Sequence, residues 1–302
     1  MTDIMENIAD EDIRDFFTSE PEPDEYVLPG LMPATVGSIV SPGGQGKSIL
    51  ALMMACLVGG GITELLDLGT FPMGTAVYLS AEDNRKILHK RFFHIGSKLD
   101  GGQRENCAEG VRVKDLTRYN PDLINGDHAG AWRESIEKLA NGSRLLILDT
   151  LRSFHSSDEN NSTSMSVLIG YLRAIAARTG CAIVFLHHTS KSSATSGQGD
   201  QQQASRGSSV LTDNIRWQAY LSGMTSEEAE KFTDEDGQPI GEDRGYYVRF
   251  GISKQNYGMP FTEKWYRRGR GGILEPVELK PAIRKLEIVG SRKENNGRIG
   301  NN

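Results

Sequence analysis

The sequence predicts an α/β fold: a mostly parallel central sheet flanked by helices, with a C-terminal β-hairpin extension. Short apolar, largely β-branched runs alternate with longer runs of helical period, the pattern of parallel strands joined by crossover helices. Between the first such strand and an apolar helix lies Ser41-Pro-Gly-Gly-Gln-Gly-Lys47-Ser48, in the strand–loop–helix order of a phosphate-binding loop. Beyond residue 205 the runs shorten, which predicts hairpins added to the same sheet.

Taken in order, residues 1–25 read as an acidic, flexible arm closed by Pro21 and Pro23. Its Ile4, Ile8, Ile13, Phe16 and Phe17 are spaced for a short amphipathic helix that docks on a neighbour, or for a frayed tail. Residues 26–279 read as one ATPase-sized α/β domain, and 280–302 as a basic, Asn- and Gly-rich, disordered tail. Expected strands cover 34–40, 75–80, 145–149 and 181–187, uninterrupted apolar runs suited to burial on both faces. Expected helices cover 48–58, 83–97, 131–140 and 164–178, and later strand-like runs cover 209–222, 245–254 and 264–266. A polar stretch, 190–205, is too long for a casual connection and is expected to act on something.

Composition narrows the class. The chain has 302 residues, 37% hydrophobic and 25% charged, with no apolar run of membrane-spanning length. Cys56, Cys107 and Cys181 show no metal-ligand spacing, and Cys56 and Cys181, set among apolar residues, are expected as buried thiols in a reducing cytoplasm. The acidic N-terminus argues against an export signal. Of the net charge of −6, residues 1–25 contribute −9 and the rest +3, a mildly basic body compatible with nucleic acid.

In an open α/β sheet the chemistry collects outside the carboxyl ends of the strands. There the glycine-rich loop would wrap phosphates with the backbone of Pro42, Gly43, Gly44, Gln45, Gly46, Lys47, Ser48 and Ile49. Lys47 would reach the β- and γ-phosphates of ATP, and the Ser48 hydroxyl would ligate Mg²⁺. Ser41 stands where the general pattern has glycine. Leu145-Leu-Ile-Leu-Asp149 is four hydrophobics then an acid, so Asp149 is the second expected Mg²⁺ ligand. Thr150 follows it where many ATPases place Glu, which leaves Glu82, ending the 75–80 strand, as the carboxylate to orient water. Glu82 could instead be a helix N-terminal acid, with Asp83 as the N-cap. His188 could sense the γ-phosphate, or simply be a polar strand terminus with His187. Arg206, Arg216 and Lys254 are the candidate cations for charge developing on that phosphate.

These segments resemble a RecA-type ATPase, and closely the plasmid-encoded RepA hexameric replicative helicases. The likeness is carried by the loop above, by Tyr78-Leu-Ser-Ala-Glu-Asp83, Leu148-Asp-Thr-Leu-Arg-Ser-Phe-His155 and Val184-Phe-Leu-His-His188, and most specifically by Gly199-Asp-Gln-Gln-Gln-Ala-Ser-Arg-Gly-Ser-Ser-Val-Leu211. It extends through Asp213-Asn-Ile-Arg-Trp217 and Val248-Arg-Phe-Gly-Ile-Ser-Lys254. The resemblance implies a homohexameric ring that hydrolyses ATP at subunit interfaces and moves on single-stranded DNA. It makes Glu82 the catalytic carboxylate, His188 the γ-phosphate sensor and Arg216 an arginine finger supplied in trans. It also suggests Arg91 on the phosphate side, and Lys191 and Arg206 facing DNA in the channel. A replication initiator or primase would be the further partner. The rival readings are a RecA-like DNA-dependent ATPase of recombination or regulation that does not unwind, and an ATP-switched scaffold.

Overall fold

The computed structural model describes residues 9–189, 209–258 and 260–282. The expected roles of 190–205, Lys191, Arg206, Ile4, Ile8 and the tail beyond 282 fall outside these residues.

A nine-stranded sheet forms the centre, in the order β10-β9-β8-β6-β1-β5-β4-β2-β3. Its parallel part is β1 (Val36–Ser41), β2 (Ala76–Ser80), β3 (Val111–Asp115), β4 (Leu145–Asp149), β5 (Ala182–His188) and β6 (Trp217–Gly223). Antiparallel pairing adds β8 (Tyr247–Gln255), β9 (Lys264–Arg268) and β10 (Leu274–Val277), the expected C-terminal extension. A separate two-stranded ribbon joins β7 (Phe232–Thr233) to β11 (Lys280–Pro281).

The two faces of the sheet make two cores, and residues alternate between them as the period of a strand requires. Ala76, Tyr78, Leu145, Ile147, Ala182 and Val184 point to the side covered by α2 (Lys47–Gly60). Val77, Leu79, Leu146, Leu148, Ile183 and Phe185 point to the side of α5 (Ala129–Ala140) and α6 (Ser162–Thr179). Apart from Ser48, every residue of α2 is buried, as its all-round apolar sequence demands. The helix lies between the sheet and α4 (Gly101–Gly110), where backbones meet at Gly59 and Gly110. A Cβ on Gly110 would stand 1.8 Å from the Gly59 carbonyl oxygen. No helix of the described residues is long and apolar enough to cross a membrane.

Several expected elements differ from the observed ones. The run 209–222 is not one strand: α7 (Ser209–Asp213) precedes β6, because Leu211 packs into the α6-side core and Ile215 is buried beside it. Arg216 therefore lies just before β6 rather than within a strand. The helix expected from 83 is α3 (Arg85–Gly96), capped by Asn84, whose side chain accepts from the amides of Lys86 and Ile87; Asp83 is not the N-cap. The polar edge strand β3 and the Gly-rich α4 were not expected.

The glycine contact gives a direct test. Gly110→Ala should destabilise the fold by about 1–3 kcal/mol through overpacking, seen as a thermal midpoint lower by several degrees. Gly130→Ala in α5, where the nearest atom to an added Cβ is a flexible Arg133 tip at 3.9 Å, should be neutral or slightly stabilising. Equal behaviour of the two variants would contradict the packing described.

Candidate nucleotide site

The loop after β1 is shaped by two glycines in the left-handed region, Gly44 (φ 77°) and Gly46 (φ 97°). Ser41 is the last residue of β1 and has no such requirement, so a serine fits where the general pattern has glycine. Its oxygens are used: Lys47 Nζ donates to the Ser41 carbonyl at 3.1 Å and to Ser41 Oγ at 3.0 Å. No side chain caps α2 at Gly46. The first-turn N–H groups of that helix thus remain open to an anion, at its positive dipole end.

Neighbouring strands bring acids to the same end. Asp149 at the end of β4 is fully buried, and its Oδ2 accepts from the Tyr78 hydroxyl on β2. Burial pushes this carboxyl up to about 6, opposed by the Tyr78 hydroxyl and the nearby Ser48 side chain. Its Oδ1 is buried and has no hydrogen-bond partner among the described residues. Ala81 N–H donates to the Asp149 carbonyl at 2.8 Å, tying the two strand ends together, and the Asp149–Thr150 peptide is cis. Glu82 follows, its Oε1 accepting from Thr150 Oγ1 at 2.7 Å. From β5, His188 sets Nδ1 3.0 Å from Lys47 Nζ. Burial and the Lys47 charge hold His188 below its ordinary value, so it is the neutral acceptor of this contact. Burial likewise draws Lys47 down to about 8, against the pull of the Asp149 and Glu82 charges.

The remaining cations lie elsewhere. Arg216 N–H donates to the Val36 carbonyl at 3.1 Å, at the amino end of β1. The five steps from Val36 to Ser41 span roughly 17 Å at strand rise, so Arg216 stands across the sheet from its own chain's loop. There it lines a groove of about 470 Å³ with Arg173, Asn214 and Tyr257. The Asn256 amide, oriented with oxygen inward, accepts from the Arg216 guanidinium at 3.1 Å. Lys254, opposite Gln218 on β8, donates to the Thr212 carbonyl at 2.7 Å, on this same amino-end side. Arg91 of α3 pairs with Asp83 at 2.6 Å, so its charge is already balanced beside Glu82.

A family model described as AAA domain matches residues 5–194, which hold the loop, Glu82, Asp149 and His188. The chain belongs to this AAA domain family. Among solved structures, it is similar to the RadB recombinase at 12% identity and a TM-score of 0.51, over 82% of this chain and 92% of that one. Together with the strand order, this makes the AAA domain a RecA-like P-loop ATPase in fold.

Three side chains that shape this site escape sequence reasoning. Tyr78 and Thr150 hydrogen-bond Asp149 and Glu82. In sequence, however, Tyr78 is an ordinary mid-strand residue and Thr150 an ordinary residue after a strand, each far along the chain from the acid it holds. Arg268 on β9 donates to the Gly44 carbonyl at 3.2 Å, and to the Gln45 carbonyl and side-chain oxygen at 2.9 and 3.0 Å. The antiparallel extension thereby grips the loop. Nothing distinguishes Arg268 from Arg267 and Arg270 in sequence, so only the pairing of β9 reveals it.

The depressed Lys47 yields a signed pH dependence. Above about pH 8 the free lysine is increasingly neutral, whereas bound phosphate favours its charged form, so binding takes up a proton. ADP affinity measured in EDTA should fall about twofold between pH 7 and 8 and then more steeply, approaching tenfold per unit. Lys47→Met should bind weakly and lose the slope. A wild-type affinity that stays level to pH 9.5 would contradict the assignment.

Proposed function

We propose that this chain is an ATP-hydrolysing DNA motor, a helicase of the plasmid RepA type that works as a homohexameric ring on single-stranded DNA. The observation that carries this reading is the separation of Lys47 and Arg216 to opposite ends of β1. A cation so placed cannot reach its own chain's γ-phosphate, but it can complete the site of an adjacent copy.

Within one site, Lys47 and the amides of residues 43–49 bind the phosphates of ATP. Ser48 and Asp149 would hold Mg²⁺; the buried, unpartnered Asp149 Oδ1 and this all-oxygen donor set suit a hard cation. Mg²⁺, when bound, neutralises charge on the β- and γ-phosphates. Glu82, held by Thr150, orients the attacking water and polarises it. Arg216 of the adjacent copy meets the charge that develops in the transition state. His188 touches Lys47 and lies two residues before the 190–208 segment, so the state of the phosphate site passes along β5 toward Lys191 and Arg206, assigned to DNA. The likeness to RadB recombinase favours a second reading, a DNA-dependent ATPase that does not unwind; strand displacement separates the two.

The test is steady-state hydrolysis with and without single-stranded DNA, on wild type and Arg216→Ala. DNA should stimulate turnover, added salt should weaken that stimulation, and Arg216→Ala should lose on the order of 10³-fold in kcat while still binding nucleotide. Turnover indifferent to DNA and to the substitution would overturn the proposal.

A further inference from the structure

Helix α1 (Ile13–Thr18) buries no residue, whereas α2 buries all but Ser48 and carries the thiol of Cys56 into the interior. Cys56 lies toward the end of α2 away from Lys47, and nothing in the nucleotide chemistry uses it. A second thiol sits against it. The backbones of α2 and α4 meet at Gly59 and Gly110, and the approach stays close one turn earlier. A Cβ on Gly60 would stand 2.6 Å from Cys107 Sγ and 3.3 Å from the Cys107 amide nitrogen. Cys56 and Gly60 share one face of α2, being four residues apart. Cys107 Sγ donates to the Cys56 carbonyl at 3.9 Å, so its side chain lies across the step between them. A disulfide demands such closely approached backbones, and the glycines on both helices supply the approach.

The two thiols differ as an attacking and a resolving sulfur do. Both cysteines line a groove of about 730 Å³ between α3, α4 and β3, far larger than a peroxide molecule. Cys107 is half-buried, and its contact with Cys56 holds it below its ordinary value against the opposing effect of burial. Cys56 is buried, and the neighbouring Cys107, then burial, push it well up. The more open sulfur therefore ionises first, beside a partner that is still a thiol. Cys181 makes an internal contrast. It is fully buried in the α6-side core, where burial pushes it up to about 12.

We propose that Cys107 and Cys56 form a peroxide-sensitive thiol pair that oxidises to an intrachain disulfide, tying the phosphate-loop helix α2 to α4. Hydrogen peroxide is the oxidant. The Cys107 thiolate attacks one peroxide oxygen and the O–O bond breaks, leaving a sulfenic acid; the departing hydroxide takes the thiol proton and leaves as water. The Cys56 sulfur then attacks the sulfenic sulfur. An S–S bond forms, the S–O bond breaks, and the hydroxyl leaves with the Cys56 proton as a second water. Two thiols are oxidised by two electrons and one peroxide is reduced to two waters. The pair requires neither ATP nor DNA, so the inference stands apart from the proposed motor.

The test exposes the folded, reduced, full-length chain to a slight excess of hydrogen peroxide. Free thiols are then counted after quenching and unfolding, and a non-reduced digest is analysed by mass spectrometry. Two of the three thiols should disappear, in a peptide linking Cys56 to Cys107, with the chain still monomeric on a non-reducing gel. Dithiothreitol should restore both. Cys107→Ser should lose its remaining thiols about tenfold or more slowly. Cys56→Ala, which removes the resolving sulfur, should leave a sulfenic acid at Cys107 that dimedone captures. If Cys56→Ala does not fold, wild type and Cys107→Ser decide between the outcomes. Oxidation of Cys107 to a sulfinic acid without the link, a link between chains, or persistence of all three thiols would each overturn the proposal.

Discussion

The parallel pairing of β1 with both β5 and β6 is the constraint on which the molecule's chemistry depends. Because the strands run the same way, their carboxyl ends form one row. The loop after β1, Glu82 after β2, Asp149 on β4 and His188 on β5 meet there without any long excursion of the chain. The same pairing sends the approach to β6, and Arg216 with it, to the opposite end. One strand direction therefore places Lys47 and Arg216 at opposite ends of β1.

Electrostatics makes the carboxyl end a site waiting for an anion and a cation. Lys47 is buried, touches His188 and Ser41, and is drawn down by desolvation despite two nearby carboxylates. Asp149 is buried with one oxygen held by Tyr78 and the other without a hydrogen-bond partner among the described residues. A buried polar atom left unpaired is costly in a fold that satisfies most of its groups. Phosphates would supply the missing negative charge to Lys47, and a divalent cation the missing positive charge to Asp149. The antiparallel extension contributes to the same loop through Arg268, so the C-terminal strands reinforce the site as well as the sheet.

Much of this was legible in sequence where local chemistry and periodicity agreed. The four apolar runs appear as β1, β2, β4 and β5 within two residues of the expected bounds, since strands buried on both faces leave an unbroken hydrophobic signal. The glycine-rich loop is legible because backbone geometry dictates its residue types, and Asp149 because an acid ending four hydrophobics stands out. Other features were not. The alternating Val111-Arg-Val-Lys-Asp115 of β3 gains its strand identity from pairing with β2, and α4 from an Asp100–Gln103 capping box rather than from an apolar stripe. The run 209–222 has strand-like composition, yet burial of Leu211 beside α6 folds its first five residues as a helix. Asn84 takes the cap expected of Asp83, because Asp83 turns to Arg91. Tyr78, Thr150 and Arg268 act through partners 71, 68 and 223 residues away in sequence, a separation no local pattern encodes.

The claim that each site is finished by another copy is tested most directly by mixing two inactive chains. Lys47→Ala has no phosphate lysine but keeps Arg216, and Arg216→Ala keeps a complete loop without its cation. If Arg216 acts in trans, the mixture should regain ATP hydrolysis, because mixed interfaces pair an intact loop with an intact arginine. If hydrolysis in the mixture stays at the level of the separate variants while the two chains co-assemble, Arg216 does not act across an interface and the central claim fails.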